Sequence, residues 1–190
     1  MAKQKELNDL FHDMLKDVFH AEKQTLRALP KMARAANSDE LRQAFQTHRE
    51  ETQGQIERLE QVFEIFGKRA QTKPCEAMLG LIAEGQEIME EFKDSQALDA
   101  GLISAQQAVE HYEIARYGTL RTWAQQLGLR EAAQLLEQTL EEEKRTDELL
   151  TRMAESQANP EAEGEGEGEE LEIEEEQEEQ KAPKRSSKKR

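Results

Sequence analysis

The chain has 190 residues and a formal net charge of -15, long enough for one domain with a substantial core and too short for two comfortable ones. The acidic balance argues against a nucleic-acid binder or a basic membrane-surface module. A single cysteine, Cys75, excludes a disulfide framework and suits a reducing compartment; with a polar start at Met1–Asp9 and no apolar run of spanning length, the sequence reads as a cytoplasmic protein with no membrane partner.

Gly and Pro are sparse before Pro160, and apolar residues recur at three- and four-residue spacing. This predicts an all-α domain of five helices, at about 5–35, 38–66, 74–93, 96–127 and 130–154. Pro30 lies inside the first helix, where it removes a hydrogen bond and crowds the preceding turn, so a kink or an early end is expected. Asn37 or Ser38 can cap the second helix, and Gly67 can take its left-handed C-terminal position. Pro74 is placed in the first turn of the third helix, Asp94 or Ser95 caps the fourth, and Gly128 divides the fourth from the fifth. Long helices with short connections predict an antiparallel four-helix bundle. The shorter third helix, with an apolar face of Met78, Leu81, Ile82, Ile88, Met89 and Phe92, is a crossover packed outside the bundle or against a second subunit. Residues 161–180 hold twelve Glu and no base, and residues 181–190 hold six Lys or Arg. Such a segment buries too little apolar area to offset its ordering entropy, so residues 1–156 are taken as the bundle and 157–190 as a disordered acidic tail with a basic tip.

The seams of the long helices are interrupted by polar groups near mid-length. The first runs Phe11, Leu15, Val18, Glu22, Leu26, Leu29; the second runs Leu41, Phe45, His48, Thr52, Gln55, Leu59, with Glu51 on its flank. The fourth runs Leu102, Gln106, Val109, Glu113, Leu120, with Glu110 one turn back and Tyr117 one turn on. In the fifth, Leu136 and Leu140 are followed by Glu143 and Asp147. Burying several carboxylates without compensation would cost several kcal/mol each and drive their pKa values up. Arg116 is the only base close to a core stripe, and one guanidinium cannot neutralise five or six acids. Two metal ions can, and oxygen-rich sites with one or two imidazoles suit iron or manganese. The i, i+3 spacing of Glu110 and Glu113 and the i, i+4 spacing of Glu143 and Asp147 put each pair on one helix face, as in carboxylate-bridged di-metal bundles. A short internal echo, "THREETQGQ" (47–55) over "TLEEEKRTD" (139–147), aligns Glu51 with Glu143 and Gln55 with Asp147, as two duplicated hairpins would. His111 reads as a surface or interface residue, and Tyr112 and Tyr117 as hydrogen-bond donors to the carboxylates.

The stretches "AEKQTLRALPKMARAA" (21–36), "LRQAFQTHREETQGQIERL" (41–59), "VEHYEIARYGTLRTWAQQLG" (109–128) and "LEEEKRTDELL" (140–150) resemble the YciF-like proteins of bacteria, which belong to the ferritin-like superfamily. Across about residues 7–154 the resemblance implies a ferritin-like bundle, usually a homodimer, with a di-iron or di-manganese centre and an association with stress responses. By similarity to rubrerythrin-type sites it implies Glu22 as the ligand of the first helix, Glu51 of the second, the Glu110 and Glu113 pair of the fourth, and Glu143 as a second bridging acid. The pattern departs in two places. No Glu-x-x-His occurs in the second helix, where His48 instead precedes Glu51 by three, and Thr146 stands where the fifth helix would carry a His. The metal set expected is therefore Glu22, His48, Glu51, Glu110, Glu113, Glu143 and Asp147, holding two iron or manganese ions that react with peroxide or dioxygen. The reaction stays open among peroxidase, catalase-like and ferroxidase chemistry. The contrasting reading is a metal-free, non-catalytic helical stress protein acting through its dimer surface.

Overall fold

A computed structural model of the protein describes residues 4–164. The expected acidic tail, 157–190, lies outside them from residue 165 onward. Five helices follow one another as expected: α1 (Leu7–Ala35), α2 (Asp39–Ile65), α3 (Glu76–Glu91), α4 (Leu98–Gln126) and α5 (Arg130–Met153). A π-helical turn (Ala154–Ala158) and a short α6 (Asn159–Glu163) continue the last helix, so the helical body passes the boundary drawn at residue 156. Pro160 sits in the first turn of α6, directly after the π-helical turn.

Local chemistry sets most of the boundaries. Ser38 caps α2, accepting from the Leu41 N–H at 3.4 Å, and Gly67 and Gly128 take left-handed backbone at φ 72° and 76°. Pro30 neither ends nor shortens α1, which continues to Ala35. Pro74 is not in the first turn of α3. The turn opens at Cys75, whose Sγ accepts from the Met78 N–H at 3.5 Å. Nor does Asp94 or Ser95 cap α4, which begins after Ala97; Ser95 Oγ instead accepts from the Ala97 N–H at 3.1 Å. Asp99, buried in the first turn of α4, reaches back to accept from the N–H groups of Asn37 and Ser38 at 2.8 and 2.7 Å. That pair of bonds ties the α1–α2 corner to the start of α4.

The helices make two hairpins, α1–α2 and α4–α5, that pack with α1 on α4 and α2 on α5. The crossover α3 lies outside the bundle against α1 and α4. Two apolar layers fill the interior. One joins Phe11, Leu15, Phe19, Leu59, Phe63, Leu120 and Leu136, and the other joins Leu29, Leu41, Phe45, Leu102, Ile103 and Leu150. Along every long helix the polar interruptions fall between residues of the first layer and residues of the second, so a polar layer is held between two dry ones.

Candidate metal centre

Each long helix sends polar side chains into that layer. Glu22 from α1, His48 from α2, Glu110 and Glu113 from α4 and Glu143 from α5 are all buried, the four acids completely. His48, Glu110, Glu113 and Glu143 converge so that one ligand atom from each lies within 4.8 Å of the others. Glu110 and Glu113 are neighbours on one face of α4, as their spacing predicts.

Neutral donors orient three of the acids. Gln106 Nε2 donates to Glu110 Oε1 at 2.6 Å, Thr25 donates to Glu113 Oε1 at 3.3 Å, and the Tyr117 hydroxyl donates to Glu22 Oε1. His48 Nε2 approaches Glu110 Oε1 to 3.1 Å, and its Nδ1 lies 3.6 Å from Glu51 Oε2. Both are charge contacts without the alignment of a hydrogen bond, since neither ring nitrogen has a hydrogen-bond partner. The second oxygens of Glu22, Glu110 and Glu113 and both oxygens of Glu143 are likewise buried without a donor. Buried acceptors in this number require a cation or protons.

The electrostatics say the same. Burial pushes the Glu22 carboxyl up to about 7, against the Tyr117 hydrogen bond and the His48 charge. Burial, and then the neighbouring carboxylates, raise Glu113 and Glu143 well above the ordinary carboxylate range. Burial opposes ionisation of Glu110 too, but His48 outweighs it and its pKa falls. The reciprocal holds for His48, where burial is outweighed by the Glu110 charge and the imidazole is raised. One imidazolium–carboxylate pair therefore sits among three acids that lack counter-charge. Arg116 supplies none, since its guanidinium stacks 5.0 Å above the Tyr112 ring. Arg58 is the base felt by Glu22, and it is committed to Glu142 at 2.7 and 2.6 Å and to Thr139. Three carboxylates with free lone pairs, and an imidazole that gains one on giving up its proton, lie within one ion's reach and form a donor set that fits iron or manganese.

Three of the seven expected ligands fall outside that group: Glu22 is buried in the same layer on the Tyr117 hydroxyl, and Asp147 and Glu51 lie elsewhere. Asp147 accepts from Gln107 Nε2 at 3.0 Å and faces the exposed His111 at 3.2 Å, on the outer side of the α4–α5 contact. Glu51 is about one-third exposed and stands behind His48 rather than inside the group, so of the two ligands expected from α2 only His48 joins it. The internal echo fails on the same residues: Glu143 is buried where Glu51 is not, and Gln55 is buried where Asp147 is not. Tyr117 does bond a carboxylate of the centre, but Tyr112 turns outward to Asp17 at 2.5 Å and to Cys75 Sγ at 2.9 Å. Thr25 and Gln106 had no role in the sequence reading. Gln106 was legible in principle, as an amide on an apolar seam one turn before Glu110.

Residues 6–163 match the family model described as Domain of unknown function (DUF892). The sequence is 51% identical over 159 residues to protein YciF of Escherichia coli (strain K12), covering 83% of this chain and 96% of that protein. The crystal structure of the E. coli stress protein YciF superposes with a TM-score of 0.79 over 82% of this chain and 99% of that one. YcfI from Rhodopseudomonas palustris, 43% identical, gives 0.76 over 80% and 97%. A Xanthomonas campestris protein, at 23% identity and a TM-score of 0.66, shares the fold. With its bundle, its crossover helix and half its residues shared with YciF, the chain belongs to the DUF892 family, as a YciF-like protein.

Proposed function

We propose that this protein is a stress-associated, ferritin-like oxidoreductase whose polar layer binds two iron or manganese ions and acts on peroxide or dioxygen. The observation that carries the reading is the convergence of His48, Glu110, Glu113 and Glu143 within 4.8 Å, with five buried carboxylate oxygens of the layer lacking a donor. These four residues would hold the metal, with Glu22 completing the acid set. When bound, the ions would supply Lewis-acid and redox chemistry toward the oxidant. The chain's own groups do the rest. Gln106 and Thr25 each hold one oxygen of Glu110 and Glu113 and leave the other free for the metal, and the apolar layers above and below exclude bulk water. In the metal-free protein Glu22, pushed up to about 7 and hydrogen-bonded to Tyr117, can hold a proton at neutral pH that an incoming cation would displace.

The stress association is carried over from the name of the E. coli relative. A cytoplasmic location and a homodimer complete the reading; the exposed Leu79 and Phe92 on and beside α3 offer an apolar face to a second copy. Metal analysis of protein purified from cells supplied with iron and manganese, paired with a peroxide-consumption assay, tests the proposal. About two equivalents per chain are expected, with both metal and consumption lost in the Glu113→Gln, Glu143→Gln double variant. Protein that carries no metal and is indifferent to added metal would instead favour a non-catalytic helical protein whose acids are satisfied by protonation and internal hydrogen bonds.

A further inference from the structure

A cavity of about 380 Å³ opens between α2 and α5 and runs inward to the polar layer. Its walls are predominantly apolar, from Phe45, Leu149, Leu150 and Met153 with Gln43, Thr47 and Thr146 among them, and its inner end is polar, from His48 and Gln106. His48 is only 2% exposed, and neither of its ring nitrogens has an aligned hydrogen-bond partner. The mouth carries both signs of charge, with Glu40, Glu51 and Arg145. Those two acids and one base, with the charged His48 at the inner end, offset one another along the cavity, so no field of one sign selects an ion.

The volume decides what the cavity suits. A water molecule takes about 30 Å³ of liquid, so dioxygen or hydrogen peroxide would fill a small part of it. Sites for small organic ligands begin at about 300 Å³, with apolar walls and a few placed polar groups. We infer that the cavity binds an uncharged organic molecule with an apolar body and a single oxygen head group, of the alcohol or alkyl hydroperoxide class, with the head at His48 and Gln106. The body replaces water against Phe45, Leu150 and Met153, and the head meets the His48 ring, whose nitrogens have charge contacts to Glu110 and Glu51 but no aligned hydrogen bond. This deepens the metal reading, on which it rests for any reaction, but the binding step requires only the cavity and is tested without metal.

The probe is 2-phenylpropan-2-ol, a stable alcohol of the right shape, titrated into metal-free full-length protein by calorimetry and followed by amide shifts in 15N spectra. Saturable binding is expected, with shifts centred on Phe45, His48, Gln106 and Leu150. Cumene, which lacks the hydroxyl, should bind about tenfold more weakly. Ala44→Phe, which places a ring in the cavity from the wall of α2, should abolish binding while leaving the helical circular dichroism and the melting transition close to wild type. Repeating the titration on metal-loaded protein separates the two readings: alcohol binding without metal uptake keeps the cavity and removes the metal centre, and the converse removes the cavity. Absent binding to the wild type, or binding equal in Ala44→Phe, overturns the inference.

Discussion

Glu143 has both carboxylate oxygens buried without a donor, and burial raises its pKa well above the ordinary range. In metal-free protein Glu143→Gln removes the ionisable proton while keeping the shape. The variant should melt higher than the wild type near about pH 8 and with little difference near about pH 5, where the wild-type carboxyl is already neutral. Differential scanning calorimetry at the two pH values checks it, and a lower melting point at both would contradict the account. Mid-seam acids at helical spacing were readable in the sequence, because Glu22, Glu113 and Glu143 each stand where an apolar residue should. Asp147 was misplaced for a geometric reason. Four residues advance a helix by about 40° past a full turn, enough to carry Asp147 from the interior to Gln107 and His111. The choice of His48 over Glu51 on α2 was not readable either, since it depends on how α2 is rotated against α4 and α5.

At the scale of the helices, corners and connections carry the specificity. Asp99 neutralises two backbone donors at the α1–α2 corner with a charged acceptor, so Asp99→Ala should destabilise the protein by about 3 kcal/mol in urea unfolding. Two glycines should respond oppositely to alanine. Gly128 has a left-handed φ of 76° after α4, and Gly128→Ala should cost about 1 kcal/mol. Gly118 lies inside α4 with nothing within 4 Å of an added Cβ, and Gly118→Ala should stabilise by about 0.8 kcal/mol. Equal effects at the two sites would contradict the backbone assignment. The five helices were legible from periodicity, and the caps less so. Cys75 opens α3 where Pro74 was expected, because a thiol is a weak acceptor and gives no usual capping signal; Asp99 acts through space on a corner 61 and 62 residues away.

For the whole molecule, Glu22, Glu113, Glu143 and His48 push the pH dependence of stability one way, and Glu110, whose pKa His48 lowers, opposes them only at low pH. Glu22, Glu113, Glu143 and His48 all have pKa values raised in the fold. Each therefore contributes stability that is present below its unfolded pKa and lost as pH rises through its folded one. Glu22 alone, moving from 4.5 to about 7, accounts for about 3 kcal/mol across that window. Metal-free protein should accordingly lose thermal stability from about pH 5 to about pH 8, and bound metal should remove most of the loss by replacing the protons. No described helix is long and apolar enough to cross a membrane, and the layered interior makes one bundle around one centre. The most direct test of that centre is a calorimetric titration of metal-free protein with manganese(II) at neutral pH, in two buffers of different ionisation enthalpy. The account predicts about two equivalents bound per chain, with protons released as His48 and the raised carboxyls give way to the ion. No binding, or binding undiminished in the Glu113→Gln, Glu143→Gln variant, would contradict it.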